Sequence, residues 1–199
     1  MKEYPIPFSG AMVRAILDGA KTQTRRVIKP QPQVAEGEYC PVLRWKRVDM
    51  PLVFAPATIA QSCPHGQPGA RLWVRETWAV RQLQAGCWLE YAADAANFMT
   101  SHPDAPALAQ IDKWRPSIHM PRWASRLTLE IESVRAERLQ DMSEADAQAE
   151  GFGGYEYDGA WVSPAWEFRE TWDAINAKRG FGWGVNPWVW AIAFRKVEV

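Results

Sequence analysis

The chain has 199 residues, and its 23 Lys and Arg balance 23 Asp and Glu, for a formal net charge of zero at pH 7. A protein that holds nucleic acid mainly by its phosphates carries a basic excess, and this chain as a whole has none. Its three cysteines do not make a disulfide framework, the start MKEYPIPFSG lacks the apolar run of a signal peptide, and no stretch approaches a membrane span.

The cytoplasm is the compartment these features predict, and the length predicts a single domain over 1–199. The charge is unevenly spread. Residues 11–30 hold Arg14, Lys21, Arg25, Arg26 and Lys29 against Asp18 alone, whereas residues 130–158 are acidic apart from Arg135 and Arg138. The two blocks either face each other across a site or are separately solvated. Twelve tryptophans are unusual at this length; most should be core, with one or two free to line a ligand cleft.

The first element is a helix. Ser9 has the character of an N-cap, Met12, Val13, Ile16 and Leu17 form an apolar stripe, and Gly19 suits the left-handed residue just past the end. Next comes a strand from about Thr22, in TQTRRVI, whose alternation places Thr22, Thr24 and Arg26 on one face. Lys21 stands at the turn between them. The cluster GAKTQTRR is no phosphate cradle, because Ala20 occupies the position before the lysine where glycine is required.

Residues 30–69 are rich in Pro and Gln and read as a long loop or insertion holding short strands. A strand with Leu72, Val74, Glu76 and Trp78 on one face follows the turn at Pro68-Gly69, and CWLEYAA (87–93) is a second one. Residues 100–121 are again broken by proline. Clean alternation from Arg126 to Val134 gives another strand, and SEADAQAEGF gives a short helix from Ser143 to Gly151. A longer helix starts at Ser163-Pro164, carries Phe168, Trp172 and Ile175 on one face and stops at Gly180; WVWAIAFRKVEV closes the chain as a strand. Short strands with few helices predict an α+β fold, a small barrel with attached helices.

These segments carry a resemblance. A helix ending in Gly, then Lys-Thr-x-Thr-x-Arg, then PGARLWVRE, resembles the ASCH-domain family of small PUA-like β-barrels. FSGAMVRAILDGAKTQTRRVIKPQP, CPHGQPGARLWVRETW and WRPSIHMPRWASRLTLEI are similar to its longer phage- and prophage-encoded branch. The resemblance runs from about Pro7 to the final strand, with insertions at about 30–65 and 95–120. It implies an amidohydrolase like those that cleave the acyl group from N4-acetylcytidine, without metal or other cofactor. On that likeness Lys21 and Thr24 match the family motif, and Glu150 matches a glutamate that closes a short helix. Glu144 and Glu76 are rivals for its role as acid.

The chemistry is coherent in itself. Amide cleavage needs a nucleophile, a base and donors for the oxyanion. A Thr hydroxyl supplies the first, and a lysine supplies the second if burial or nearby cations lower its pKa. Arg25, Arg26, Arg75 and Glu76 are the candidate substrate-binding residues; Arg75 and Glu76 lie on opposite faces of one strand, so at most one points into a given cleft. Cys40, Cys63, His65 and Cys87 lack the paired spacing of a zinc site. His119 and Arg122 read as loop packing. The expected substrate is a small acylated nucleoside, with at most weak RNA binding. Two other readings stand beside it, a non-catalytic RNA-binding module of PUA-like type and a ribonuclease; zero net charge disfavours the first, and the lack of a histidine pair disfavours the second.

Overall fold

A computed structural model describes residues 2–46, 48–83, 86–94 and 113–197, so most of the second predicted insertion lies outside the described residues. The fold is α+β. Its main sheet has five strands in the order β1-β6-β9-β12-β2: β1 Glu3–Pro7, β6 Arg71–Arg75, β9 Thr128–Arg138, β12 Trp188–Val197 and β2 Gln23–Val27. β1 runs parallel to β6, and the other pairs are antiparallel. Pro5 and Pro7 are tolerated in β1 because it is an edge strand, where a missing N–H leaves no ladder bond unmade.

The two edges, β1 and β2, are consecutive in sequence. Helix α1 (Gly10–Leu17) carries the chain from one to the other and buries Val13 and Ile16 in the core. Laid flat, five strands would set the edges roughly 19 Å apart, well beyond one arginine side chain. Yet the guanidinium of Arg26 on β2 donates to the Pro7 carbonyl of β1 at 2.6 Å. The sheet is therefore strongly curled, but the predicted closed barrel is not formed as a ladder: among the described residues the seam between β1 and β2 is spanned by side chains.

The helix predicted from Ser9 has that residue as its cap, and Gly19 follows with φ +76°. The face Leu72, Val74, Glu76 and Trp78 is buried throughout, although the strand breaks after Arg75 and resumes as β7, Trp78–Leu83, paired with β8, Gly86–Tyr91. The first insertion is more ordered than its composition suggests. It forms the sheet β3 (Gln33–Ala35), β4 (Val42–Trp45) and β5 (Val48–Pro51), then helix α2 (Ala55–Ala60). Leu43, Trp45, Met50 and Ile59 join the main core, and Trp45 packs edge-on against Trp190 at 6.1 Å.

A small hairpin, β10 (Tyr155–Tyr157) and β11 (Ala160–Val162), turns at Asp158-Gly159, both with positive φ. That dipeptide is a strong hairpin signal that the helical patterns on either side obscured. Helices α3 (Glu144–Ala149) and α4 (Pro164–Asn176) share a second core of Leu139, Ala147, Phe168, Trp172 and Val189. Ile175, predicted on the buried face of α4, is half exposed. No helix among the described residues is long and apolar enough to cross a membrane.

Candidate active site

Three backbone bonds fix the segment before β2. The Lys21 amide donates to Ala15 at 2.9 Å, the Thr22 amide donates to Ala149 at 2.8 Å, and the Phe194 amide donates to Thr22 at 2.8 Å. The last of these is made beside the irregularity of β12 at Ala193 and Phe194, where its register against β9 shifts. The end of α3 is thereby stapled to the start of β2, and Lys21 faces Glu150 across an isolated β-bridge. Gly151 makes the approach feasible. Its φ is +93°, and a Cβ there would stand 3.1 Å from the Ala15 Cβ and 3.2 Å from the Lys21 Cβ.

Lys21 and Glu150 are both buried, and Lys21 donates to the Glu150 carboxylate at 2.6 Å and to its carbonyl at 2.8 Å. The second contact satisfies a carbonyl that the end of α3 leaves without a helical partner. Burial depresses the Lys21 pKa, Glu150 works against that shift, and Arg26 and Arg25 reinforce it. The other oxygen of Glu150 accepts from Arg25 at 3.3 Å. Arg25, also buried, spreads its guanidinium over Gln23 at 2.6 Å, Glu137 at 2.8 Å and Asp146 at 3.4 Å.

Across the sheet Arg25, Ala191 and Arg135 form one row, so a small side chain separates two cations that share Glu137 and Asp146. Lys21 and Arg25 of the basic block therefore meet carboxylates of the acidic block here, with Lys21, Arg25 and Glu150 buried and Glu137 and Asp146 partly exposed.

Beside this network lies a cleft of about 230 Å³ between β2, α3 and α4. Thr24, Arg25, Arg26 and Glu150 line it, with Phe152, Phe168 and Trp172 as aromatic surface. Thr24 and Arg26 project from one face of β2, and Arg25 and Val27 from the other. All four reach one cleft because β2 is an edge strand and the cleft runs along its free side. Lys29, His65 and Arg179 complete the outer rim. Lys21 does not line the cleft; it stands behind Glu150.

The remaining candidates lie elsewhere. Glu76 is buried in a two-pronged pair with Arg126, at 2.9 and 3.1 Å, and Arg126 also binds Asp94. Burial raises the Glu76 pKa, and Arg126 opposes the rise. The Arg75 guanidinium donates to the Ile118 carbonyl. Glu144 accepts from the Ala165 amide at 3.2 Å. His119 is exposed, and Arg122 pairs with Glu3 at 2.8 Å. None of these lines the cleft. Cys63 is buried, which pushes its thiol up to about 11, while Cys40 and Cys87 are exposed. Among the described residues no three His, Cys, Asp or Glu side chains converge as metal ligands.

Sequence reasoning missed Lys29, His65, Phe152, Phe168, Trp172 and Arg179 as cleft residues. Phe168 and Trp172 were legible only as a helix face, and nothing in the pattern said that part of that face borders a cleft.

No family model matches the chain, and no curated protein matches it either. Among solved structures, the ASCH domain from Lactobacillus crispatus JV V101 is similar at 14% identity, over 98% of this chain and 79% of that one, with a TM-score of 0.42. A likeness that distant carries no argument about the site.

Proposed function

We propose that the protein is an amidohydrolase that removes the acyl group from an N4-acylated cytosine nucleoside, with the cleft along β2 as its active site. The observation that carries this reading is the convergence of Thr24 and Glu150 on one cleft, with Lys21 bonded directly behind Glu150. The aromatic surface of Phe152, Phe168 and Trp172 suits a flat base, and the free side of β2 offers main-chain donors and acceptors to its edge.

Thr24 attacks the acyl carbon, and its proton passes to the Lys21–Glu150 pair. Burial lowers the Lys21 pKa toward the range in which its amine serves as a base, and Glu150 is the cleft-side member of the pair. The cationic charge of Arg26 stabilises the oxyanion. The pair then returns the proton to the exocyclic nitrogen as the C–N bond breaks. Water attacks the acyl-threonine and gives a proton to the same pair, which passes it to the Thr24 oxygen as the ester C–O bond breaks and the carboxylic acid leaves. This division of labour keeps Lys21 as base and Glu150 as acid but makes them one unit.

The test is incubation of pure protein with N4-acetylcytidine, with chromatography to detect cytidine. Release of cytidine at a rate unchanged by EDTA is expected. No turnover by folded protein across a range of acyl groups overturns the reading.

A further inference from the structure

The outer part of the cleft carries more positive charge than the reaction needs. Of the cleft's lining residues, Glu150 is the carboxylate, and both its oxygens already accept from Lys21 and Arg25. Three further cations line the same space: Arg26, which the reaction uses, and Lys29 and Arg179, which it does not. Arg26 donates to a carbonyl and lies 5.1 Å from the Phe8 ring, and Lys29 lies 5.0 Å from the Phe181 ring. Among the described residues none of the three forms an ion pair with a carboxylate, in a protein whose net charge is zero.

A helix end accounts for part of this. Arg179 follows α4, where a cation complements the terminal carbonyls. Lys29 and Arg26 come from β2 and the residues just after it, so the same reason does not reach them.

We infer that this rim is a phosphate subsite, and that the substrate is an acylated cytosine nucleotide, free or within a strand, rather than a bare nucleoside. The inference rests on the reading of the cleft as a cytosine site and names what the base is attached to. A second hollow of about 190 Å³ adjoins the rim, sharing Val27, Lys29 and His65 with the cleft and adding Trp45, Lys46 and Trp190. Trp45 and Trp190 are buried there, and the exposed Lys46, its ammonium 4.0 Å from the Trp45 ring, is the cation that the phosphate of a neighbouring nucleotide would meet. His65 between the two hollows is held neutral at pH 7, its pKa pushed down to about 4 by burial and by Arg26, so it adds hydrogen bonding rather than charge.

The experiment is a binding titration of the whole protein, read by tryptophan fluorescence or calorimetry, with unacylated cytidine, cytidine 5′-monophosphate and a short uridine-flanked cytosine oligonucleotide. Using unacylated compounds separates this result from hydrolysis, so a protein without amidase activity can still show the subsite. The monophosphate should bind roughly tenfold more tightly than cytidine at low salt, and the ratio should shrink as salt screens the rim. In the double variant Lys29→Gln, Arg179→Gln the ratio should fall toward one; both side chains are exposed, so the fold is retained. Equal affinity for cytidine and the monophosphate, or a ratio that survives the double variant, overturns the inference. A further gain with the oligonucleotide that Lys46→Gln removes identifies a strand as the phosphate source; a monophosphate advantage without that gain identifies the free nucleotide.

Discussion

The ammonium of Lys21 lies 2.6 Å from the Glu150 carboxylate and 2.8 Å from the Glu150 carbonyl, so one lysine grips both side chain and backbone of a residue 129 positions away. Burying both charges is costly, and the pair is retained only because further donors satisfy it. Its roles in the fold and in the proposed chemistry can be separated by substitution.

Thr24→Ala and Lys21→Ala should each lower kcat for N4-acetylcytidine by several orders of magnitude. Thr24→Ser should keep part of the activity, because a hydroxyl remains. Lys21→Arg should not rescue, since a guanidinium does not give up its proton. The double variant Thr24→Ala, Lys21→Ala should be hardly worse than either single one, because groups that act as a unit are not additive. Steady-state kinetics on the five variants check this, and near-normal hydrolysis by Lys21→Arg removes the lysine as base.

Glu150→Gln and Glu76→Gln should part company. The first acts on the cleft and should abolish hydrolysis. The second loosens a buried pair with Arg126 away from the cleft, so it should lower the urea midpoint while kcat stays close to wild type. Loss of activity in Glu76→Gln at full stability would move the acid to that strand.

Arg25→Lys should be far from conservative. One ammonium does not span Gln23, Glu137 and Glu150, so buried carboxylate charge is left without its partner. Breaking a buried pair costs about 3–5 kcal/mol, and the partial exposure of Glu137 and Asp146 places the expected loss toward the lower end. Denaturant unfolding measures it.

His65 sets an acid-side slope. Its pKa in the fold is about 4, below the ordinary value of 6.5, so the unfolded chain binds more protons between those values. Its contribution is present above pH 6.5 and is lost as pH falls toward 4. Replacing it with Gln should flatten stability across that window, as followed by unfolding at a series of pH values.

Gly151→Ala should destabilise by about 1–3 kcal/mol, since a side chain is strained at φ +93° and its Cβ would press on Ala15 and Lys21. Glu150 is the adjoining residue, so activity should fall further than the loss of melting temperature accounts for. An alanine that leaves both unchanged refutes the need for close approach here.

Local pattern alone determined the parts of this protein that depend on neighbours in sequence. Ser9, Ser143 and Ser163 cap helices because a hydroxyl three residues upstream meets a free amide, and Gly19 and Gly180 end elements because they accept positive φ. Alternation likewise located the buried face from Leu72 to Trp78. What the tertiary structure decided is which strand lies at the edge. Alternation separates Thr24 from Arg25 by face, and a strand paired on both sides would keep them apart. Because the curled sheet ends at β2, both faces border one cleft, where the Phe168 and Trp172 face of α4 and the end of α3 meet them. The charge blocks were visible as blocks, yet whether they were solvated or buried depended on Ala191 standing between Arg25 and Arg135 in the folded sheet. Such a row is assembled from three strands far apart in sequence, and no local period records it.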